Sequence, residues 1–236
     1  YQMILLLDAD SLVYAACCSH EDSDDILTEQ EAKDKYDRSF GKLINEIGEL
    51  VSVEDVQTFN GSRGNFRKFI GSRNSYKANR TRELPEHLNA VHSYLHTDYN
   101  GIKGYGVETD DMVARSWTKL SRDLGRDNVM IVSIDKDYRQ LPCFLYNYHW
   151  KRKEMYDISE EEARYNFYAQ MVCGDQADNV NFFLGKGPSF CQKYFQECKT
   201  EYQYKKKLFF LFKEKYKSKA REKYIECYNL LRLKTE

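Results

Sequence analysis

The stretch VMIVSIDKDYRQL, Val129–Leu141, decides the fold. Val129 to Ile134 is a short, mostly apolar run that ends abruptly in charge, the pattern of a buried strand. Asp135 and Asp137 follow, with Lys136 between them. Carboxylates repel one another, and burying them is costly unless something positive lies between them. The same pattern opens the chain, where Ile4–Leu7 leads into Asp8. Two strands therefore deliver acids to their carboxyl ends.

Working outward, Leu12–Cys18 reads as a helix, and so do residues 29–50, with Tyr36, Phe40, Leu43, Ile44 and Ile47 on one stripe. Val53–Phe59 is a second strand. Leu84–Tyr99 and Glu108–Leu124 are helical, the latter with Val113, Trp117, Leu120 and Leu124 facing inward. CFLYNY, from Cys143, is another strand. SEEE, from Ser159, is a capping box that starts a helix reaching about Cys173. Everything beyond Thr200 reads as helix. Strands alternating with helices predict an α/β fold with a mostly parallel central sheet, and such sheets carry their sites at the carboxyl edge.

Composition narrows the class. With 236 residues, 42% of them hydrophobic and 14% aromatic, the chain can fill one large core. No apolar run approaches the roughly 18 residues of a membrane span. The opening MILLLDADSLV is interrupted by Asp8 and Asp10 and is not expected to be a signal peptide; Met3 is the expected start. Seven cysteines without a C-x-x-C pair predict reduced, mostly buried thiols in a cytoplasmic protein. The net charge of −1 hides an asymmetry. HEDSDDILTEQE is acidic, whereas Val56–Arg82 holds no acid but seven basic residues: Arg63, Arg67, Lys68, Arg73, Lys77, Arg80 and Arg82.

Each motif also has an ordinary reading. In VETDD, Glu108, Asp110 and Asp111 crowd a first helical turn, where acids complement the helix dipole. Asp135 with Asp137, and Asp175 with Asp178 in GDQADN, could be solvated turns. With Asp8 they make eight acids at loop-facing ends of elements, and a shared cause is more economical. Oxygen donors without His or Cys suit hard cations, Mg²⁺ or Mn²⁺, and so many acids suit two of them, as in phosphodiester hydrolysis. FRKFIGSRNSYKANRTR interleaves cations with Phe66, Phe69 and Tyr76, which suits single-stranded nucleic acid. Gly185, Lys186 and Gly187 precede Pro188 at a helix start, where backbone amides can approach a phosphate. DADSLV and GDQAD also imitate haloacid-dehalogenase-type phosphatase motifs, but the sequence before Gly174 has helical spacing where that family needs a strand.

Taken in order, DADSL, NFRKF…SYKANR, VETDD, SIDKDYRQL and GDQADN…GKGPS resemble the 5′-nuclease family of flap endonucleases, polymerase-linked 5′ nucleases and phage 5′–3′ exonucleases, over roughly residues 4–196. The phage type is the most similar. The resemblance implies a PIN-like core with a helical arch at 61–85. The core would span about 3–173, and about 174–236 would hold a helix–hairpin–helix segment and a helical tail, in one domain. It implies a first metal at Asp8, Glu108, Asp110 and Asp111, and a second at Asp135, Asp137, Asp175 and Asp178. Tyr76, Lys77 and Arg80 would form a gateway that stacks on an unpaired base and holds the scissile phosphate. Arg67, Arg73, Arg82, Gly185, Lys186 and Gly187 would bind substrate, and K⁺ would bind at the hairpin. Asp10 has no settled role. Asn60 stands where many relatives carry another acid, and Phe182, Phe183 and Leu184 stand where a further glycine or two is usual.

The expected activity is metal-dependent hydrolysis near 5′ ends of DNA, flaps or RNA primers, in phage-type replication or repair, by a monomer working with replication proteins. The alternatives are a junction-binding protein with little catalysis, which Asn60 would explain, and the phosphatase.

Overall fold

The structure is a computed structural model that describes residues 2–18, 27–70, 76–80 and 83–236. The chain runs β1 (Gln2–Asp8), α1 (Asp10–Ala16), α2 (Glu29–Gly48), β2 (Ser52–Phe59), α3 (Leu88–Asp98) and α4 (Thr109–Leu124). It continues through β3 (Val129–Val132), β4 (Phe144–Asn147), β5 (Glu154–Asp157), α5 (Glu160–Cys173), α6 (Pro188–Phe195), α7 (Glu201–Tyr216) and α8 (Ala220–Leu231). The sheet order is β2-β1-β3-β4-β5. The first four strands are parallel and β5 is antiparallel to β4.

The central strands are apolar on both sides because helices cover both faces. Leu5, Leu7, Met130 and Val132 pack with α1, α2 and α3. Leu6, Val129 and Ile131 face Val113, Ala114 and Trp117 of α4. A second core, built from α5, α6, α7 and α8, holds Phe167, Met171, Phe195, Phe212 and Leu231, and Tyr76 inserts into it. The capping boxes at Thr28–Glu31 and Ser159–Glu162 fix the starts of α2 and α5. All seven cysteines are free thiols. Among the described residues no helix is long and apolar enough to cross a membrane.

Several boundaries differ from expectation. The helix expected from Leu84 begins at Leu88, because Pro85 biases the residue before it away from helix, and Leu84 stays exposed. Leu124, expected to face inward, closes α4 on the exposed side. The edge strand β5 was not foreseen, since three of its four residues are exposed and carry no apolar pattern. Within 61–85 the described residues form one 3-10 turn, Phe66–Phe69, and a turn at Tyr76–Asn79. Arg73 and Arg82 lie outside the described residues.

Candidate metal centre

The parallel strands bring their carboxyl ends to one edge, and the acids gather there. Asp8 ends β1, buried, with its Oδ2 accepting from the Tyr138 hydroxyl at 2.8 Å and from Ser133 Oγ at 3.4 Å. After β3 the chain turns into a 3-10 helix, Lys136–Gln140, which Asp135 caps by accepting from the Asp137 amide at 2.9 Å. The Asp-x-Asp spacing thus builds its own turn: one carboxylate folds the backbone and both stay at the sheet edge. The N-terminus of α4 supplies Glu108, Asp110 and Asp111, where the helix dipole favours them. After α5, Gly174 takes φ +75°, and the loop returns through an antiparallel bridge, Asp175 to Val180. That bridge places Asp175 and Asp178 facing the others.

Four of the eight acids have cationic partners. Arg67, 2% exposed, forks onto Asp111 at 2.6 and 2.8 Å and reaches Glu108 at 3.0 Å. Lys77 pairs with Glu108. Arg80 meets Asp178 at 2.9 Å, and Lys136 meets Asp175 at 2.9 Å. The Tyr76 hydroxyl lies 2.6 Å from Asp178 and 2.8 Å from Glu108, with its one proton shared between the two carboxylates.

The other four, Asp8, Asp110, Asp135 and Asp137, have no cation in contact among the described residues. Their acidities show the strain. Burial, then Asp10 and Asp135, push Asp8 up to about 7. Burial, then Asp135, Asp175 and Asp178, push Asp137 up to about 8. Asp110 is raised by burial and by Glu108 and Asp111, and Asp135 by burial and then by Asp178 and Asp175. Asp175 goes the other way: burial would raise it, but the Lys136 ion pair and the Ala177 amide hold it below the usual carboxylate range. As placed, no three His, Cys, Asp or Glu side chains among the described residues converge on one ion position. What fits a hard divalent cation is the donor chemistry, all oxygen, and the crowded, uncompensated negative charge that such an ion would neutralise.

Several expectations change at this point. Arg67, expected to bind substrate, is engaged within the protein: its Nε and Nη2 donate to the Leu230 and Arg232 carbonyls at 3.1 and 2.9 Å, beside its contacts to Asp111 and Glu108. Asp111, fully buried, is spent on Arg67 rather than open to a metal. Tyr76 packs into the helical core instead of presenting a free stacking face. Lys136, which lies between Asp135 and Asp137 in sequence, pairs instead with Asp175. Asp10 accepts from the Gly61 amide and from Thr109 Oγ1, both at 2.7 Å, tying the loop after β2 and the start of α4 to the start of α1. Asn60 is fully buried and turns from the acids, donating to the His92 carbonyl at 3.1 Å. Its Oδ1 faces Gly101 unpaired. Gly185, at φ +81°, and Gly187 leave an open backbone face, and Lys186 Nζ lies 3.8 Å over the Phe190 ring.

Tyr138, Ser133, Thr109 and Gln170 were not anticipated. Gln170 Nε2 holds Asp137 at 2.8 Å, and only its helical register toward the 3-10 turn could have signalled it.

The chain is thus a mostly parallel five-stranded sheet flanked by helices, with acids gathered along one edge. Solved structures of the flap endonuclease, or 5′-exonuclease, of bacteriophage T5 share this fold. A variant of that enzyme in complex with DNA and metal ions matches with TM-score 0.68 and 17% identity, over 99% of this chain and 90% of that one. The zinc-bound 5′-exonuclease matches with TM-score 0.66 and 15% identity, over 97% and 89%. A lysine-to-alanine mutant matches with 0.61 and 16%, over 100% and 89%. No family model matches the chain, and no curated protein matches it by sequence. At these identities the likeness fixes the fold. The phosphatase reading loses its basis, because the GDQAD loop follows helix α5 rather than a strand.

Proposed function

We propose that the protein is a divalent-metal-dependent 5′ nuclease that hydrolyses DNA phosphodiesters near 5′ ends, as exonuclease or flap endonuclease. The observation that carries this reading is the row of four acids at the sheet edge with no cation in contact, Asp8 buried, Asp110 and Asp137 half-buried and Asp135 exposed, beside a gate of cations on the remaining acids. Two Mg²⁺ or Mn²⁺ ions, when bound, would supply a water nucleophile near neutral pH and stabilise the leaving oxygen. Asp8 and Asp110 would hold one ion with help from Glu108. Asp135 and Asp137 would hold the other, with Asp175 and Asp178 orienting it.

Lys77 and Arg80 are the mobile charge. They rest on Glu108 and Asp178, next to where a scissile phosphate would lie. Exchanging those carboxylates for phosphate oxygens would make new charge-assisted hydrogen bonds and steady charge as it develops. Phe69, 91% exposed, and Lys68 extend the gate outward for an unpaired 5′ strand. The open backbone at Gly185–Gly187 would contact the duplex, with K⁺ as a bridging ion. Natural substrates would be 5′-ended duplexes, flaps or RNA primers in phage-type replication, met by a cytoplasmic monomer.

Incubation with a 5′-flap duplex in Mg²⁺, with EDTA as control, tests the reading. Cleavage only with metal is expected, reduced on the order of a hundredfold or more by Asp135→Asn or Asp137→Asn. Tight flap binding without any turnover would instead identify a junction-binding protein.

A further inference from the structure

The hairpin joining β4 to β5 has no part in the metal centre, yet its composition is unusual. It reads YHWKRK, Tyr148–Lys153, and its turn falls at Trp150 and Lys151. Trp150 is 76% exposed, the other tryptophan, Trp117, being only 7% exposed in the core. The flat, apolar face of the Trp150 indole and its N–H are open to a contact. His149 lies beside the indole, ring centroids 6.2 Å apart at 19°, and Lys151 Nζ sits 4.6 Å from its centroid. Lys153 is paired with Glu46, but among the described residues no acid pairs with Lys151 or Arg152, both exposed. An aromatic flanked by two uncommitted cations at a hairpin tip is chemistry for a base and its phosphates.

The location makes the same point. β1, β3 and β4 are parallel neighbours, so this hairpin leaves the sheet from the same edge that carries Asp8 and Asp135. β4 lies two strand spacings from β1, about 10 Å. Tyr148, at the root of the hairpin, is near enough for its hydroxyl to feel the charges of Asp8 and Asp10. The gate approaches the acids from elsewhere, following β2 at the opposite side of the sheet and closing on α4 and the loop after α5. A strand lying across the acids would therefore have a gate on one flank and this tip on the other.

We propose that Trp150, Lys151 and Arg152 form a second nucleic-acid contact, in which the indole stacks on an exposed base where duplex and single strand meet and the two cations hold adjacent phosphates. The contact rests on the nuclease reading for its purpose but not for its chemistry. It would set the substrate's footprint across the metal centre and favour junctions over plain duplex, since only a junction or an end exposes a base face.

The tip also provides its own probe, because Trp150 is the only exposed tryptophan. Titration with a 5′-tailed duplex is read by tryptophan emission, in EDTA to prevent turnover and again with Mg²⁺. DNA should quench the wild-type signal, and Trp150→Phe identifies the share that belongs to Trp150. Trp150→Ala should weaken binding of the tailed duplex by roughly five- to a hundredfold, and Trp150→Phe by less. Replacing Lys151 and Arg152 with alanine should flatten the slope of log affinity against log salt by about 0.7 per lost contact. Quenching with these losses supports the contact even if the protein never cleaves, so it stands or falls separately from the nuclease. Metal-dependent cleavage with Trp150→Ala binding and cutting like wild type would overturn it. So would DNA that binds but leaves Trp150 emission unchanged, which would turn the tip toward a protein partner.

Discussion

Arg67 is one of seven basic residues between Val56 and Arg82, and nothing in the sequence separates it from the other six. The fold does, by closing the carbonyls of Leu230 and Arg232 over it and pressing Asp111 against its fork. Removing one side of such a pair leaves a buried charge behind. Arg67→Met should cost about 3–5 kcal/mol in urea denaturation. Arg67→Lys, which keeps the charge but not the fork, should lose less. Arg80, 56% exposed, belongs to the other kind. Arg80→Ala should leave stability nearly unchanged and lower the DNA salt slope by about 0.9. The unpaired acids make a second prediction. In metal-free protein Asp8 and Asp137 titrate near 7 and 8, against about 4 in the unfolded chain. The folded state then holds more protons across that window, so this contribution is complete below about pH 4 and is lost as pH rises through 7 and 8. The melting temperature in EDTA should fall from pH 6 to 8.5, and Mg²⁺ should restore more of it at 8.5. A melting temperature that rises over that range in EDTA would contradict an uncompensated cluster.

At the scale of elements, the buried strands and capped helices were legible because hydrophobic period and cap chemistry are local. β1, β3 and β4 fall where apolar runs end in polar residues, and α2 and α5 start at their capping boxes. β5 was not legible, because an edge strand with three exposed residues has no period to show. The acids were legible as a set through their order and their places at element ends. Their division into paired and unpaired was not, since it depends on contacts between residues far apart in sequence, such as Lys77 with Glu108, 31 positions apart, and Arg80 with Asp178, 98 apart. The loop after α5 shows how an element positions a charge. A Cβ on Gly174 would lie 2.3 Å from the Val180 carbonyl, and φ there is +75°. Gly174→Ala must therefore break the Asp175–Val180 bridge, and a cost above about 1 kcal/mol is expected from chemical denaturation. Cleavage should fall with it, because Asp175 and Asp178 move. Gly187→Ala meets nothing within 4 Å and has an ordinary φ of −106°, so it serves as the control for stability. Any loss of DNA affinity it causes would reflect the approach of the duplex backbone.

At the scale of the whole molecule, the helical tail and α5 join the sheet's core to the helical one. The residues after α8 run back over the sheet domain. The Leu231 carbonyl accepts from Gln140 Nε2 at 3.0 Å, the Leu233 amide donates to Gln140 Oε1 at 3.0 Å, and the Lys234 amide donates to Asp111 at 2.9 Å. Leu233, 2% exposed, inserts beside Trp117 and Leu145 in the core under α4. The tail carries no motif, so its role could not be read from sequence; it acts through backbone groups, which every sequence has. Ending the chain at Asn229 would strip two carbonyls from the buried guanidinium, each worth about 1.5–3 kcal/mol. It would also expose the core that Leu233 covers, a loss of about 1.5–3 kcal/mol. Together these rival the whole stability of a typical domain, about 5–15 kcal/mol. The shortened chain should lose cooperative unfolding, and Leu233→Ala, which keeps every backbone contact, should lose only the packing share. If the shortened chain melts cooperatively at the full-length temperature, the tail is an appendage, and Arg67 and Asp111 must be held in place by the gate alone.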